Sequence, residues 1–201
     1  GPLTSAQKRQ LGIVHSAIAA LLRMSDDLLD FSRPEEELAP DDVAEIPFSP
    51  RQVVGELEDL LEPMALHRRA DLEIDAAGVE SRVGDPQVLN RVLLNFASNA
   101  LEAVDEGGSV RVRVRADGER LRAVVEDYAD DVEPERIREL LSGGDYADVV
   151  RHLEGQTRGL GLVISGRMIR AAEGDVSVER TEEGRTRLAV TLPFPPLETG
   201  G

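Results

Sequence analysis

Asp85-Pro86-Gln87-Val88-Leu89-Asn90-Arg91-Val92-Leu93-Leu94-Asn95-Phe96-Ala97-Ser98-Asn99-Ala100-Leu101-Glu102-Ala103-Val104 is the stretch on which the fold turns. An Asp-Pro start followed by apolar residues every three or four positions predicts a helix from Pro86 to Val104. On a 3.6-residue period, Leu89, Val92, Leu93, Phe96, Ala100, Ala103 and Val104 share one side, and Asn95, Asn99 and Glu102 form a narrow polar stripe at its border. Carboxamides in that half-buried position need partners. Those partners are either neighbouring backbone and water, as on many amphipathic helices, or a ligand.

A second stretch bears on the choice. In Thr157-Arg158-Gly159-Leu160-Gly161-Leu162-Val163-Ile164-Ser165, two glycines open an apolar helical run. Glycine lets the backbone approach an anion closely, and the free N–H groups of a helix start point toward negative charge. A lone Gly-x-Gly before a helix is common in loops of every kind. The order of the parts carries more weight than either part alone.

In that order the chain resembles the catalytic and ATP-binding portion of two-component sensor histidine kinases, within the GHKL ATPase superfamily. The likeness runs from about Leu11 to about Pro195. Leu22 to Arg33 is similar to the end of the second helix of the family's dimerisation hairpin. Phe48-Ser49-Pro50 through Leu61 resembles the first helix of the ATPase domain, Gly84-Asp85-Pro86 the entry to its N-box helix, Leu94 to Ala100 the N-box, and Gly159-Leu160-Gly161-Leu162 the second glycine box. The resemblance implies that Asn99 binds magnesium and that Asn95, one turn earlier, positions magnesium or a reactive water. It implies that Asp127 accepts a hydrogen bond from the adenine amino group. It also implies that Arg158 and Gly159-Leu160-Gly161 lie against the triphosphate, so that Mg-ATP is the expected ligand.

The departures are as specific as the matches. The family's first glycine box is Asp-x-Gly-x-Gly and an aliphatic residue, whereas this chain has Asp127-Tyr128-Ala129-Asp130-Asp131-Val132. A Cβ where the backbone must take positive φ costs about 1 kcal/mol or more, and the Asp131 carboxylate would repel a polyphosphate. Ile137 to Tyr146 lacks the Phe pair of the usual aromatic box, Thr157 replaces a glycine, and Glu102 stands where many members place a Lys. No His followed by an acidic residue, Arg and Pro is present. His15 aligns with the second hairpin helix, away from the phosphoacceptor position.

The remaining punctuation divides the chain. Residues 1–5 have the composition of a protease-cleavage remnant. Residues 6–33 predict a helix with a short seam at Leu11, Val14, Ile18, Leu21, Ser25 and Leu28, which the resemblance makes a homodimerisation element. Pro34, Pro40 and Pro47 mark a connector over 34–47. From residue 48 to 196 helical and strand periods alternate. Helices are predicted at Pro50–Leu66, Pro86–Val104, Pro134–Leu141 and Gly159–Ala172, the last ended by Gly174. Strands are predicted at Asp71–Asp75, Ser109–Arg115, Arg120–Asp127, Asp175–Arg180 and Arg187–Leu192, with Asp117-Gly118 turning the first hairpin. Residues 197–201 are expected to form a flexible tail. The fold class is α/β (α+β): a two-layer sandwich of helices on a mixed sheet, of Bergerat/GHKL type, preceded by one long helix.

Thirty-nine acidic against 23 basic side chains give a formal net charge of −16, which argues against nucleic acid as a partner. No apolar run approaches the roughly 20 residues that span a bilayer, and there is no Cys, so a cytoplasmic module without direct membrane contact is expected. Two functions follow from the resemblance and its departures. One is a pseudokinase or adaptor that keeps the fold and presents it to a kinase or response regulator. The other is an active Mg-ATP-dependent protein-histidine kinase domain whose acceptor His lies upstream of this chain.

Overall fold

The computed structural model describes residues 46–128, 133–143 and 159–197. The predicted helix over 6–33, the glycine-box departures at 129–132, and Thr157 and Arg158 lie outside the described residues.

A five-stranded sheet carries the domain. Its strands are β2 (Asp71–Asp75), β4 (Ser109–Asp117), β5 (Arg120–Asp127), β6 (Asp175–Arg180) and β7 (Thr186–Leu192), in the spatial order β2-β4-β5-β7-β6. Only the β2–β4 pair is parallel, so the sheet is mixed. On β4, Val110, Val112 and Val114 are at most 1% exposed while Arg111, Arg113 and Arg115 face outward, as strict alternation requires. Among the described residues, four helices cover the valine side: α1 (Pro50–Arg68), α2 (Pro86–Ala103), α3 (Pro134–Ser142) and α4 (Leu160–Ala171). The result is the expected α+β two-layer sandwich.

Local chemistry sets the helix ends. Ser49 caps α1 by accepting the Gln52 N–H, and Asp85 caps α2 by accepting the Gln87 N–H at 2.8 Å, each with Pro at the first helical position. Gly84, with φ of 151°, leads into α2. A Cβ there would meet the Phe194 ring at 2.3 Å, so the bare backbone is what lets the C-terminal segment lie across the helix entrance. Phe194 in turn stacks edge-on against Phe48 at 5.5 Å.

The central helix is buried more completely than an amphipathic stripe predicts. Leu89, Val92, Leu93, Phe96, Ala100 and Val104 are core residues as expected, but Val88, Ala97, Ser98 and Leu101 are buried too, and Ala103 is only half-buried. The reason is position: α2 packs on the sheet beneath it while α1 and α4 flank it.

Beyond shifts of one or two residues at element ends, three features differ from the sequence expectation. Ile46 and Pro47, assigned to the connector, pair with a short strand β3 (Arg82–Gly84) as part of β1 (Ile46–Phe48); three residues are too few to show a period. Asp117 is paired to Arg120, so the hairpin turns at Gly118-Glu119, with Gly118 at φ of 59°. Gly174 does not supply the left-handed residue after α4. Glu173 does, at φ of 52°, and Gly174 is needed because a Cβ would sit 2.9 Å from the Thr191 carbonyl.

Candidate functional site

Asn95 and Asn99 lie on consecutive turns of α2, both half-buried. The Asn95 side chain faces α4. Its amide nitrogen donates to the Gly161 carbonyl at 3.2 Å and to the Ser165 hydroxyl at 3.1 Å. A Cβ on Gly161 would lie 3.1 Å from Asn95 Oδ1 and 3.2 Å from Cγ, so a bare residue there is what admits the carboxamide. The N-box helix and the glycine-opened helix are therefore joined through the residues that the sequence marked on each. Gly159 and Leu160 open α4, whose first N–H groups have no partner within the helix.

Asp127 ends β5 on the helix-covered face and is 5% exposed. It pairs in register with Thr186, the first residue of β7, which is 1% exposed, and Thr186 pairs with Arg180 of β6. Arg180 Nη1 donates to Thr186 Oγ1 at 2.9 Å. Thr186 and Ser165 were not singled out by sequence reasoning. Thr186 shares the parity of Leu188, Val190 and Leu192, so a polar residue at an inward strand position was the available signal. Ser165 had none, because a serine inside an apolar helical run has no distinguishing spacing.

The opposite face of the sheet is built differently. Glu73, Arg111, Glu126, Arg187 and Glu179 stand side by side across all five strands, alternating in sign. Arg111 bonds Glu73 at 2.6 Å, and Arg187 bonds Glu126 at 2.6 Å and Glu179 at 2.8 Å. Glu126, then Glu179, raise the Arg187 pKa above its ordinary value, and the guanidinium stays charged. Tyr128 lies under the Arg185 guanidinium, 3.7 Å from the ring centroid.

The covered face suits a magnesium-bound phosphate ligand. Asn95 Oδ1 accepts no hydrogen bond among the described residues, so an amide oxygen is available to a hard cation beside a helix N-terminus. Asn95 and Asn99 would hold such a cation, with ligand phosphates completing its shell. Among the described residues no group of three or more His, Cys, Asp or Glu is placed to hold a metal ion. Arg158 lies outside the described residues.

A sandwich with paired amides, a buried strand-end carboxylate and a glycine-opened helix defines a class of ATPase domain. Residues 84–196 match the model of the histidine kinase-, DNA gyrase B- and HSP90-like ATPases, and the chain belongs to that family. Its sequence relatives are sensor histidine kinases, whose catalytic domain it resembles. It is 36% identical to the sensor histidine kinase AruS of Pseudomonas aeruginosa over 92% of its own length and 19% of that protein. It is 30% identical to the sensor protein TorS of Escherichia coli over 96% of its length and 21% of TorS. The chain thus spans about a fifth of these curated relatives. Among solved structures, full-length ShkA in complex with AMPPNP superposes with a TM-score of 0.70 at 24% identity, covering 98% of this chain and 40% of ShkA. The Acinetobacter baumannii histidine kinase AdeS gives 0.65 at 15% identity, covering 96% of this chain and 86% of AdeS. No helix among the described residues is long and apolar enough to cross a membrane.

Proposed function

We propose that this domain binds Mg-ATP between α2 and α4 and delivers the γ-phosphoryl group to a histidine outside the chain, within a two-component signalling protein. The observation that carries this reading is the Asn95 carboxamide seated on Gly161. It joins the amide helix to the glycine-opened helix and leaves an oxygen donor uncommitted. Phosphoryl transfer needs chiefly positioning and charge stabilisation. Asn95 and Asn99 supply oxygen ligands, the first N–H groups of α4 meet phosphate oxygens, and Asp127 accepts from the exocyclic amine of the base. Magnesium held by Asn95 and Asn99 would supply charge neutralisation at the phosphates. The AMPPNP held by ShkA, a structural neighbour, is consistent with such a ligand.

The second reading, a pseudokinase or adaptor, is favoured by Ala129 and Asp131 in place of the first-box glycines. Both readings have the module dimerise through residues 6–33, work in the cytoplasm, and meet a response regulator or partner kinase. Thermal unfolding with Mg-ADP decides between them. At 100 times the dissociation constant the ligand should add about 2.7 kcal/mol of stability, and Asp127→Ala should abolish the gain. No gain in the wild type would select the adaptor. Light scattering of the whole chain against one beginning at Ala44 tests the dimer. Equal oligomeric states would remove it.

A further inference from the structure

Ser165 is fully buried on α4, and nothing about nucleotide binding calls for a hydroxyl there. Its surroundings in α4 are apolar: Leu162, Val163, Ile164 and Ile169 are all core or near-core residues. A buried hydroxyl without a partner is costly, and the partner Ser165 finds is the Asn95 amide at 3.1 Å.

The geometry dictates what Asn95 can offer. A carboxamide nitrogen carries two hydrogens, and here both have acceptors, Gly161 O and Ser165 Oγ. Flipping the amide would turn Oδ1 toward the Gly161 carbonyl, which cannot donate, and would leave both N–H groups without these partners. The nitrogen is thereby committed to α4, and the oxygen is the only polar atom of the side chain left for a ligand. Magnesium takes oxygen donors in a strict octahedral arrangement, so a fixed carbonyl is worth more to it than a rotating one.

We propose that Ser165 is a positioning residue: together with the Gly161 carbonyl it pins the Asn95 carboxamide nitrogen so that Asn95 presents only its oxygen to a divalent cation carried by a phosphate ligand. This rests on the reading of the cleft as a nucleotide site, and the two are separable by experiment.

The probe is ADP, titrated calorimetrically in EDTA and in magnesium, against the wild type and Ser165→Ala. The wild type gains affinity with magnesium. Ser165→Ala keeps its ADP affinity in EDTA and its melting temperature within a few degrees, and loses about three- to tenfold of the magnesium-dependent gain, the equivalent of one hydrogen bond. A full magnesium gain retained in Ser165→Ala overturns the proposal. ADP binding without any magnesium gain in the wild type also overturns it and leaves the nucleotide reading standing, whereas no binding in either buffer removes both. A ligand-free readout stands beside these. The Asn95 side-chain N–H pair should give two resolved NMR resonances protected from exchange, one of which loses protection in Ser165→Ala. Exchange in the wild type at the rate of an open amide would contradict the pin.

Discussion

On β5, Glu126 turns to the open face of the sheet and Asp127 to the helix-covered face, and the two carboxylates are equally buried, at 4% and 5% exposure. Their surroundings separate them. Glu126 sits between Arg113 at 3.6 Å and Arg187 at 2.6 Å in a row of alternating charge. Asp127 is in register with the buried Thr186, on the face that α2 covers. Burial of a charge therefore does not mark a site by itself. What separates the two is the face on which each is buried, the open one for Glu126 and the helix-covered one for Asp127.

That contrast can be broken in several ways. The largest effect is expected in the layer that gives the covered face its shape. Leu93 is fully buried in α2, and Leu93→Ala should cost about 2–5 kcal/mol in denaturant unfolding. A loss below about 1 kcal/mol would mean that α2 is not packed as described. Next comes Glu126→Gln, which leaves two arginines without their shared carboxylate. Because both arginines are more than one-third exposed, solvent screens them, and a loss of about 1–2 kcal/mol is expected with nucleotide binding unchanged. Asp127→Asn should instead weaken ADP binding by about tenfold or more, the worth of a hydrogen bond to a charged group. If both substitutions had the same consequences, the distinction between the faces would fail.

Smallest is the acid response of Asp75, at the open face's edge. The Ala77 N–H, then Arg115, bond its carboxylate and hold its pKa below the ordinary value. A lowered folded-state pKa stabilises the fold above the unfolded-state value and loses that contribution as pH falls through the folded one. Asp75→Asn should flatten a small part of the acid limb of stability below about pH 4. An unchanged limb would remove Asp75 from it.

Much of this was legible beforehand. The Asn95–Asn99 stripe, the alternation of Val110 to Arg115 and the glycine-opened helix each carry a local period or a local residue type that physics ties to one structure. What stayed hidden was non-local. The pairing of Ile46–Phe48 with Arg82–Gly84 depends on a distant partner, and a three-residue strand has no period to detect. Thr186 acquires meaning only when register sets it beside Asp127, and Ser165 only when α4 packs on α2. The left-handed Glu173 was missed because a glycine stood next to it, and that glycine is required by packing instead.

The central claim is that Asn95, Asn99, Asp127 and the Gly159–Gly161 entrance line one nucleotide cleft on the covered face. Backbone and side-chain NMR shifts during an Mg-ADP titration test it residue by residue. Perturbations gathered at those residues and Thr186, with Glu73, Arg111 and Glu179 unmoved, are the predicted result. Shifts concentrated on the open face, or none at saturating ligand, would contradict it.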